Sequence, residues 1–433
     1  MAAIFITDTE LAGLTKNVYT GIREKLIPVI SPVLAQVEKA KRGGARNFRW
    51  GGKGVIFDAV TTRPGGFAAS ASGTFPSSHA AKEENGTLDI KRFYVTREVD
   101  ALAWLGTESK EAAFKSLGRK IVEEMKDAIT LGMAEMIQGD GKGIRALVGT
   151  YTNANNMTFV SPYGVSGAGQ GGLFIHEGME IALLDTSAAD AVLGRAIVST
   201  VTNSGDTCTV VLAGSGISGG ATGDKVVGCA RATDTSFNQY INGLMNITNR
   251  GGSYASLHGL SGAQWDATRL TSSDVLDVEV VSESDFFDLI MKVRGRSGKD
   301  AKAKPGEFLV CGTPGLEKKL VEQFYPSRTL TPQDFVELKG GYKAVSVFGL
   351  PFISDSFCPA GTVYLIHIPS MSWVDAKDWG EVRLESAPAW RPLSNQDGYQ
   401  FTMGAYMQLG TTNRGAHGSI TGYTDTGRYS IVV

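Results

Sequence analysis

Residues 107–138, TESKEAAFKSLGRKIVEEMKDAITLGMAEMIQ, decide how the rest of the chain is read. Phe114, Leu117, Ile121, Met125, Ala128, Gly132 and Met136 recur at spacings of three and four, which marks one face of a 3.6-period helix. The opposite face pairs charges at helical distance: Glu111 with Lys115, Arg119 with Glu123, Lys120 with Glu124. Thr107 can cap the first turn, Glu108 and Glu111 suit its positive end, and Gly139-Asp140-Gly141 stops it. At about 1.5 Å per residue such a rod is about 45–50 Å long. Only one edge is apolar, so the rod is expected to lie across a sheet, with the remaining strands, loops and arms attached to it.

With 433 residues the chain can bury a large core in two or three domains. A net charge of −2 gives no global field toward nucleic acid or membrane. Glycine, at 54 residues, stands well above the usual ~7%, while 42% hydrophobic content is ordinary; together they fit a folded, turn-rich β protein. Cys208, Cys229, Cys311 and Cys358 are scattered without CxxC spacing, so neither a zinc site nor a disulfide framework is expected. The N-terminus lacks a signal-peptide pattern, and no run approaches the ~18 apolar residues of a membrane span. A soluble chain made in a reducing cytosol is expected.

Residues 1–44 read as an arm: a helix over 9–26, then an extended path forced by Pro28 and Pro32. Six basic residues and no acidic ones follow, Lys39, Lys41, Arg42, Arg46, Arg49 and Lys53. They suit a solvated face, an acidic neighbour or packaged nucleic acid. Residues 45–100 read as one long β-hairpin, with strands at 55–60 and 88–99 and a glycine-rich tip that carries Phe67 and Phe75. A two-stranded hairpin is marginal alone in water, so this one should lie on something else.

Beyond the helix, residues 158–236 form a compact β unit with strands near 173–184, 195–203, 207–213 and 224–230, an inserted small barrel or sandwich. The signals turn mixed over 237–394. A helix over 284–293 carries Phe286, Phe287, Ile290 and Val293 on one side, and a strand at 307–311 runs into a helix capped by Thr313 with Pro314 in its first turn. Further strands are expected at 344–348, 352–354 and 362–368. Between Asp266 and Asp288 lie seven acidic residues and one basic, which balance the basic arm; Asp274, Asp277 and Glu279 are its candidate contacts between subunits. Residues 399–409 and 416–423 read as a terminal strand pair that could return beside the helix.

Catalytic patterns fail on context. Gly214-Ser215-Gly216-Ile217-Ser218-Gly219 matches a dinucleotide fingerprint, and the overlapping segment around Ser218 a nucleophile elbow, but both need a helix to begin there, and the sequence leads into another strand. His176-Glu177 begins like a zinc-protease motif, yet Glu180 stands at the second ligand position. Cys311 sits between a strand and a helix without the phosphate-binding arginine a nucleophile there would need, and reads as core. Gly139–Gly143 ends a helix where a phosphate loop would start one. No catalytic residue, cofactor or metal is expected.

The order of arm, long hairpin, long helix, α/β domain and returning strands resembles the major capsid proteins of tailed bacteriophages, the Hong Kong 97-type fold. Ile241-Asn242-Gly243-Leu244, His258-Gly259-Leu260-Ser261, Trp265, Phe348–Asp355 and 359–366 (PAGTVYLI) look like that family's segments. The resemblance implies an α+β chain: an N-terminal arm (1–44), an extended loop (45–100), a peripheral domain with the spine helix (101–157 and 395–433), an inserted β unit (158–236) and an axial α/β domain (237–394). It further implies self-association through pentamers and hexamers into an icosahedral shell around double-stranded DNA. Expected partners are a portal and separate scaffolding or decoration proteins; no membrane is implied. The location would be the virion, assembled in the host bacterial cytoplasm. Lysine–asparagine crosslinks occur in some members, and Lys53 or Lys82 could reach a neighbour, but no local signal marks either. A β-rich virion or surface-array protein of another fold is the main alternative, and a hydrolase using Ser218 or Cys311 a weaker one.

Overall fold

A computed structural model of the protein describes residues 31–33, 37, 54–60, 77, 80–101, 117–164, 170–204, 207–229, 235–250, 256–260, 265–324, 335–337, 343–382, 390–393 and 397–425. The described residues of 90–134 and 375–407 form one unit; those of 31–89, 135–374 and 408–433 form another.

In the second unit β1 (Gly54–Val60) pairs antiparallel with β2 (Glu83–Asp89), from Gly54↔Asp89 to Val60↔Glu83. Alternation sets its two faces: Val55, Phe57 and Leu88 are buried, while Ile56 between them is exposed. The buried face rests on a short 3-10 turn at Leu257–Gly259, with Phe57 edge-on to His258 at 5.7 Å and tilted against Trp265 at 6.1 Å. The ribbon therefore does lie on something else, as its thinness requires. Its second strand is 83–89, not the 88–99 read from the sequence.

The remainder of that expected strand, β3 (Lys91–Asp100), belongs to the first unit and pairs with Gly398–Thr411 over a continuous register from Met407↔Lys91 to Gly398↔Asp100. The helix α1 is Leu117–Gln138; the expected first turns at 107–116 lie outside the described residues. Its apolar stripe covers that sheet as expected, Ile121 and Met125 packing with Val99 and Phe401. On the polar side Arg97 reaches Glu124 at 3.5 Å.

A closed six-stranded barrel follows in the second unit: β4 (Ile144–Tyr151), β5 (Asn156–Val160), β6 (Glu180–Asp185), β7 (Ala191–Ser204), β8 (Thr207–Leu212) and β9 (Lys225–Gly228), in the order β4-β5-β8-β7-β6-β9. It takes in β4 and β5, ahead of the Thr158 start read from the sequence. Ala146, Val148, Met157, Phe159, Ile181, Leu183, Val198, Val210, Leu212 and Val226 fill its interior. The barrel is locked to the turn at 355–360. Gln170 donates to Cys358 O (2.6 Å) and accepts from the Ala360 N–H (3.1 Å), and Phe174 stacks on Phe357 at 6.0 Å.

The α/β part of the same unit holds α2 (Leu244–Thr248), β10 (Thr268–Leu270), α3 (Glu283–Ser297), β11 (Phe308–Gly312), α4 (Pro314–Phe324), β12 (Phe335–Glu337), β13 (Lys343–Val347), β14 (Leu350–Ser354), β15 (Thr362–His367) and β19 (Gly418–Thr421). The sheet order is β10-β19-β15-β11-β14-β13-β12, with β10–β19 and β11–β14 parallel. Ser282 caps α3 by accepting from the Ser284 N–H, and Gly298 ends it in the left-handed region at φ 69°. Phe286, Leu289, Ile290 and Val293 of α3 join Leu316 and Leu320 of α4 over one face of the sheet. Phe287 is turned outward, contrary to the side assigned from sequence, because one residue along a helix rotates about 100° and 286/289/290/293 takes the core.

The strands β16 (Met371–Glu381), β17 (Trp390–Pro392) and β18 (Gly398–Thr411) complete the sheet that holds β3. The last two strands are thus not a pair: β18 lies against β3, while β19 sits between β10 and β15. The turn joining them carries a wholly buried cation, Arg414. Its guanidinium donates to the carbonyls of Asn246 (3.0 Å), Ile247 (3.3 Å) and Asn249 (2.6 Å) and to Asp266 Oδ1 (3.2 Å).

Candidate assembly surfaces

The loop 271–281 leads from the edge strand β10 into α3 and carries three of the acidic residues marked in the sequence. Each turn is fixed locally. The Thr271 N–H and hydroxyl both donate to Asp274 Oδ2 at 2.9 Å, and Asp277 accepts from the Glu279 N–H at 2.9 Å. These hydrogen bonds hold the Asp274 carboxyl below the usual carboxylate range, so it stays ionised. The loop is tied down toward α3, by Val281 in the core and by the Thr424 N–H donating to Val278 O at 2.9 Å.

Tethering leaves Asp274, Asp277 and Glu279 in solvent and Leu276 77% exposed beside them, with Val280 exposed as well. A leucine that open on a pinned loop has no function in its own core. Lys319 of α4 lies 3.5 Å from Glu279. The acidic run is not one face, however. Asp266 is spent on Arg414, and Asp285 is buried, accepting from Tyr423 OH at 2.9 Å and from the Leu276 N–H at 3.3 Å.

A second exposed cluster stands on α3 and the β13–β14 turn. The rings of Phe287 and Phe348 lie 6.3 Å apart, and Lys302 Nζ sits 3.9 Å from the first centroid and 5.1 Å from the second. Phe348 takes a left-handed φ of 53°, a conformation rare for a bulky residue, to hold its ring there. The third surface is the outer side of the β1–β2 ribbon, where Ile56 is 65% exposed.

Sequence reasoning marked the three carboxylates of the loop but not Leu276, Val280, Ile56 or the Phe287–Phe348 pair. The only local signal was an apolar residue breaking an acidic run. Lys41, Arg42, Arg46, Arg49, Lys53, Phe67 and Phe75 lie outside the described residues, so no partner is assigned to them. Lys82 is exposed and 2.5 Å from Glu84.

The motifs set aside in the sequence have structural roles. No helix begins at 214–219. That loop instead drops Ile217 into the barrel core and is held by Tyr151 OH donating to Ile217 O (3.0 Å), leaving Ser218 in solvent. Cys311 is buried in the central strand β11. His176 is exposed, and Glu177 accepts from the Val201 N–H at 3.2 Å. Asp140 accepts from the Lys142 N–H at 2.9 Å in the turn that closes α1. Among the described residues no three His, Cys, Asp or Glu side chains are grouped to hold a metal ion.

No family model and no curated sequence matches this chain. Solved structures do. The capsid asymmetric unit of cyanophage A-1(L) superposes on 97% of this chain and 98% of its own, with a TM-score of 0.53 at 10% identity. The capsid of a native GTA particle covers 94% of each chain at 10% identity (TM-score 0.45). An encapsulin complex from Synechococcus elongatus covers 96% of this chain and 95% of its own at 8% identity (TM-score 0.46). With the cyanophage subunit matched end to end, the α+β order of ribbon, spine helix, barrel, α/β sheet and returning strands is the Hong Kong 97-type capsid fold.

Proposed function

We propose that the protein is a capsid subunit that assembles with copies of itself, through pentamers and hexamers, into an icosahedral shell enclosing double-stranded DNA. The observation that carries this reading is the end-to-end match with a capsid subunit, 97% of this chain on 98% of the other. Supporting it, the exposed apolar residues sit on pinned, non-core surfaces, where only another molecule can cover them.

On this reading 45–100 is the extended loop, 101–157 with 395–433 the peripheral domain, 158–236 the insert and 237–394 the axial domain. The basic run Lys41, Arg42, Arg46, Arg49 and Lys53 of one copy meets Asp274, Asp277 and Glu279 of another, and Phe67 and Phe75 at the hairpin tip lie over a neighbour. The role is mechanical, not catalytic. The subunit would be part of a virion put together in a bacterial cytoplasm, with a portal and separate scaffolding or decoration proteins as its other partners. Many modest contacts then give a collective stability that no single subunit has.

The test is the size of the purified protein by sedimentation, with negative-stain imaging and nuclease-protected DNA content. Closed shells, or pentamers and hexamers convertible to them, are expected. A stable monomer or dimer under all conditions would overturn the reading.

A further inference from the structure

At the open edge of the α/β sheet a cleft of about 400 Å³ gathers four cations and one carboxylate: Arg250, Arg269, Lys292, Arg296 and Asp274, with Thr268 as the sixth lining residue. The cations come from separate elements: Arg269 from the edge strand β10, Lys292 and Arg296 from α3 at i, i+4, and Arg250 from just beyond α2. Asp274, kept ionised by the two hydrogen bonds from Thr271, supplies one negative charge against four positive ones. Among the described residues, neither Arg250 nor Lys292 has a carboxylate at ion-pair distance.

A helix-dipole role explains part of this but not all. Arg294, also in the last turn of α3, pairs with Asp300 at 3.3 Å and needs no ligand. Arg269 is on a strand, and Arg250 follows only the five-residue α2, whose dipole is small. Arg296 is held in place by donating to Asp266 O (3.1 Å) and Ala267 O (3.5 Å), and partial burial, with the nearby Arg250 charge adding to it, pulls its pKa down. Like charges are thus fixed close together. At the cleft wall the buried Thr268 Oγ1 has no hydrogen-bond partner, leaving a neutral donor available where a bound oxyanion would lie.

We infer that this cleft binds a phosphate group, which the arginines would grip through paired N–H donors and the Thr268 hydroxyl would complete. The net excess of positive charge suits the ~2 negative charges of a phosphate better than a single carboxylate. The phosphate could belong to a nucleic-acid backbone or to a free phosphate or pyrophosphate; the chemistry is shared. The inference stands whether or not the chain forms shells.

The full-length protein is titrated calorimetrically with pyrophosphate, with a short DNA duplex and with poly-glutamate, at two salt concentrations, beside the double variant R250Q/K292Q. Both changed side chains are exposed, and a Lys318→Gln variant controls for lost surface charge. Binding of pyrophosphate or DNA weakened about tenfold or more in the double variant, but not in the control, is expected. For DNA the salt slope should also fall by about 1–2. DNA displaced by pyrophosphate assigns the backbone as the source, while pyrophosphate binding without DNA binding assigns the free anion. Affinity unchanged in the double variant, no binding of either phosphate probe, or tighter binding of poly-glutamate than of pyrophosphate would overturn the inference.

Discussion

Phe57 faces Gly86 directly across the β1–β2 ladder, and a Cβ on Gly86 would stand 2.5 Å from the ring's Cζ and 3.0 Å from Leu260. The ring lies over the bare glycine and is clamped on its far side by His258 and Trp265, so it has nowhere to retreat. Gly86→Ala is therefore expected to destabilise the fold by about 1–3 kcal/mol. The check is the denaturation midpoint of the variant against Gly86→Ala combined with Phe57→Leu, which should recover part of the loss. Equal midpoints for Gly86→Ala and the native chain would contradict this packing.

Arg414 and Asp266 form a buried pair that stitches the β18–β19 turn to the end of α2. Burial pushes the guanidinium pKa down to about 10, and Asp266 opposes the shift. Asp266→Ala removes the carboxylate paired with that cation and leaves the charge buried, a loss of about 3–5 kcal/mol. The double change Asp266→Ala with Arg414→Met should cost less than the sum of the two singles, which chemical denaturation of all four proteins would show.

Three of the five histidines meet in one buried network. The His367 backbone N–H donates to His417 Nδ1 (3.2 Å), so His417 Nε2 carries the proton and donates to Thr411 Oγ1 (2.9 Å); the Thr411 backbone N–H donates to His258 Nε2 (3.2 Å). Burial, with the Arg414 charge nearby, lowers His258 and His417 from 6.5 to about 3. Below pH 6.5 the unfolded chain takes up protons that the folded chain refuses until about pH 3, so stability is full above 6.5 and falls through this window. At pH 5 the loss is about 2 kcal/mol for each histidine. Denaturation midpoints that do not move between pH 7 and pH 5 would refute the network.

Leu276, Asp274, Asp277 and Glu279 project from one loop; the Asp274 and Asp277 carboxylates accept local hydrogen bonds there, and the matching amides keep an oxygen that can accept them. Leu276→Ser, or the three carboxylates changed together to their amides, should leave subunit stability within about 0.5 kcal/mol. Yield of closed shells, counted by negative stain, should fall, and in the native chain it should drop as salt rises, because the loop carboxylates are exposed and their attraction is screened. Unchanged yield in both series would remove this loop from the assembly surface.

Deleting residues 65–80, the expected hairpin tip, leaves the paired strands β1 and β2 intact. The truncated protein should remain a soluble, folded subunit that no longer closes shells. Particles of normal size from the deletion would show that the tip is dispensable.

Much of this was determined by the sequence alone. The 3.6-residue stripe of α1, the Thr313-Pro314 start of α4 and the glycine stops between short strands all act over a few residues. Backbone geometry makes such signals local, and a single chain displays them without its fold. The capsid-type order of elements was legible for the same reason. Tertiary structure decided which strands met. Residues 83–99 alternate almost continuously, yet Asp89 ends one ladder and Lys91 begins another; likewise β18 and β19 part to different sheets. Strand pairing is set by contacts hundreds of residues apart, which leave no period in the sequence. The same holds for charge: Asp266 and Asp285 look like Asp274 and Asp277 in the sequence. Only the fold buries the first two against Arg414 and Tyr423 and leaves the others, with Leu276, in solvent.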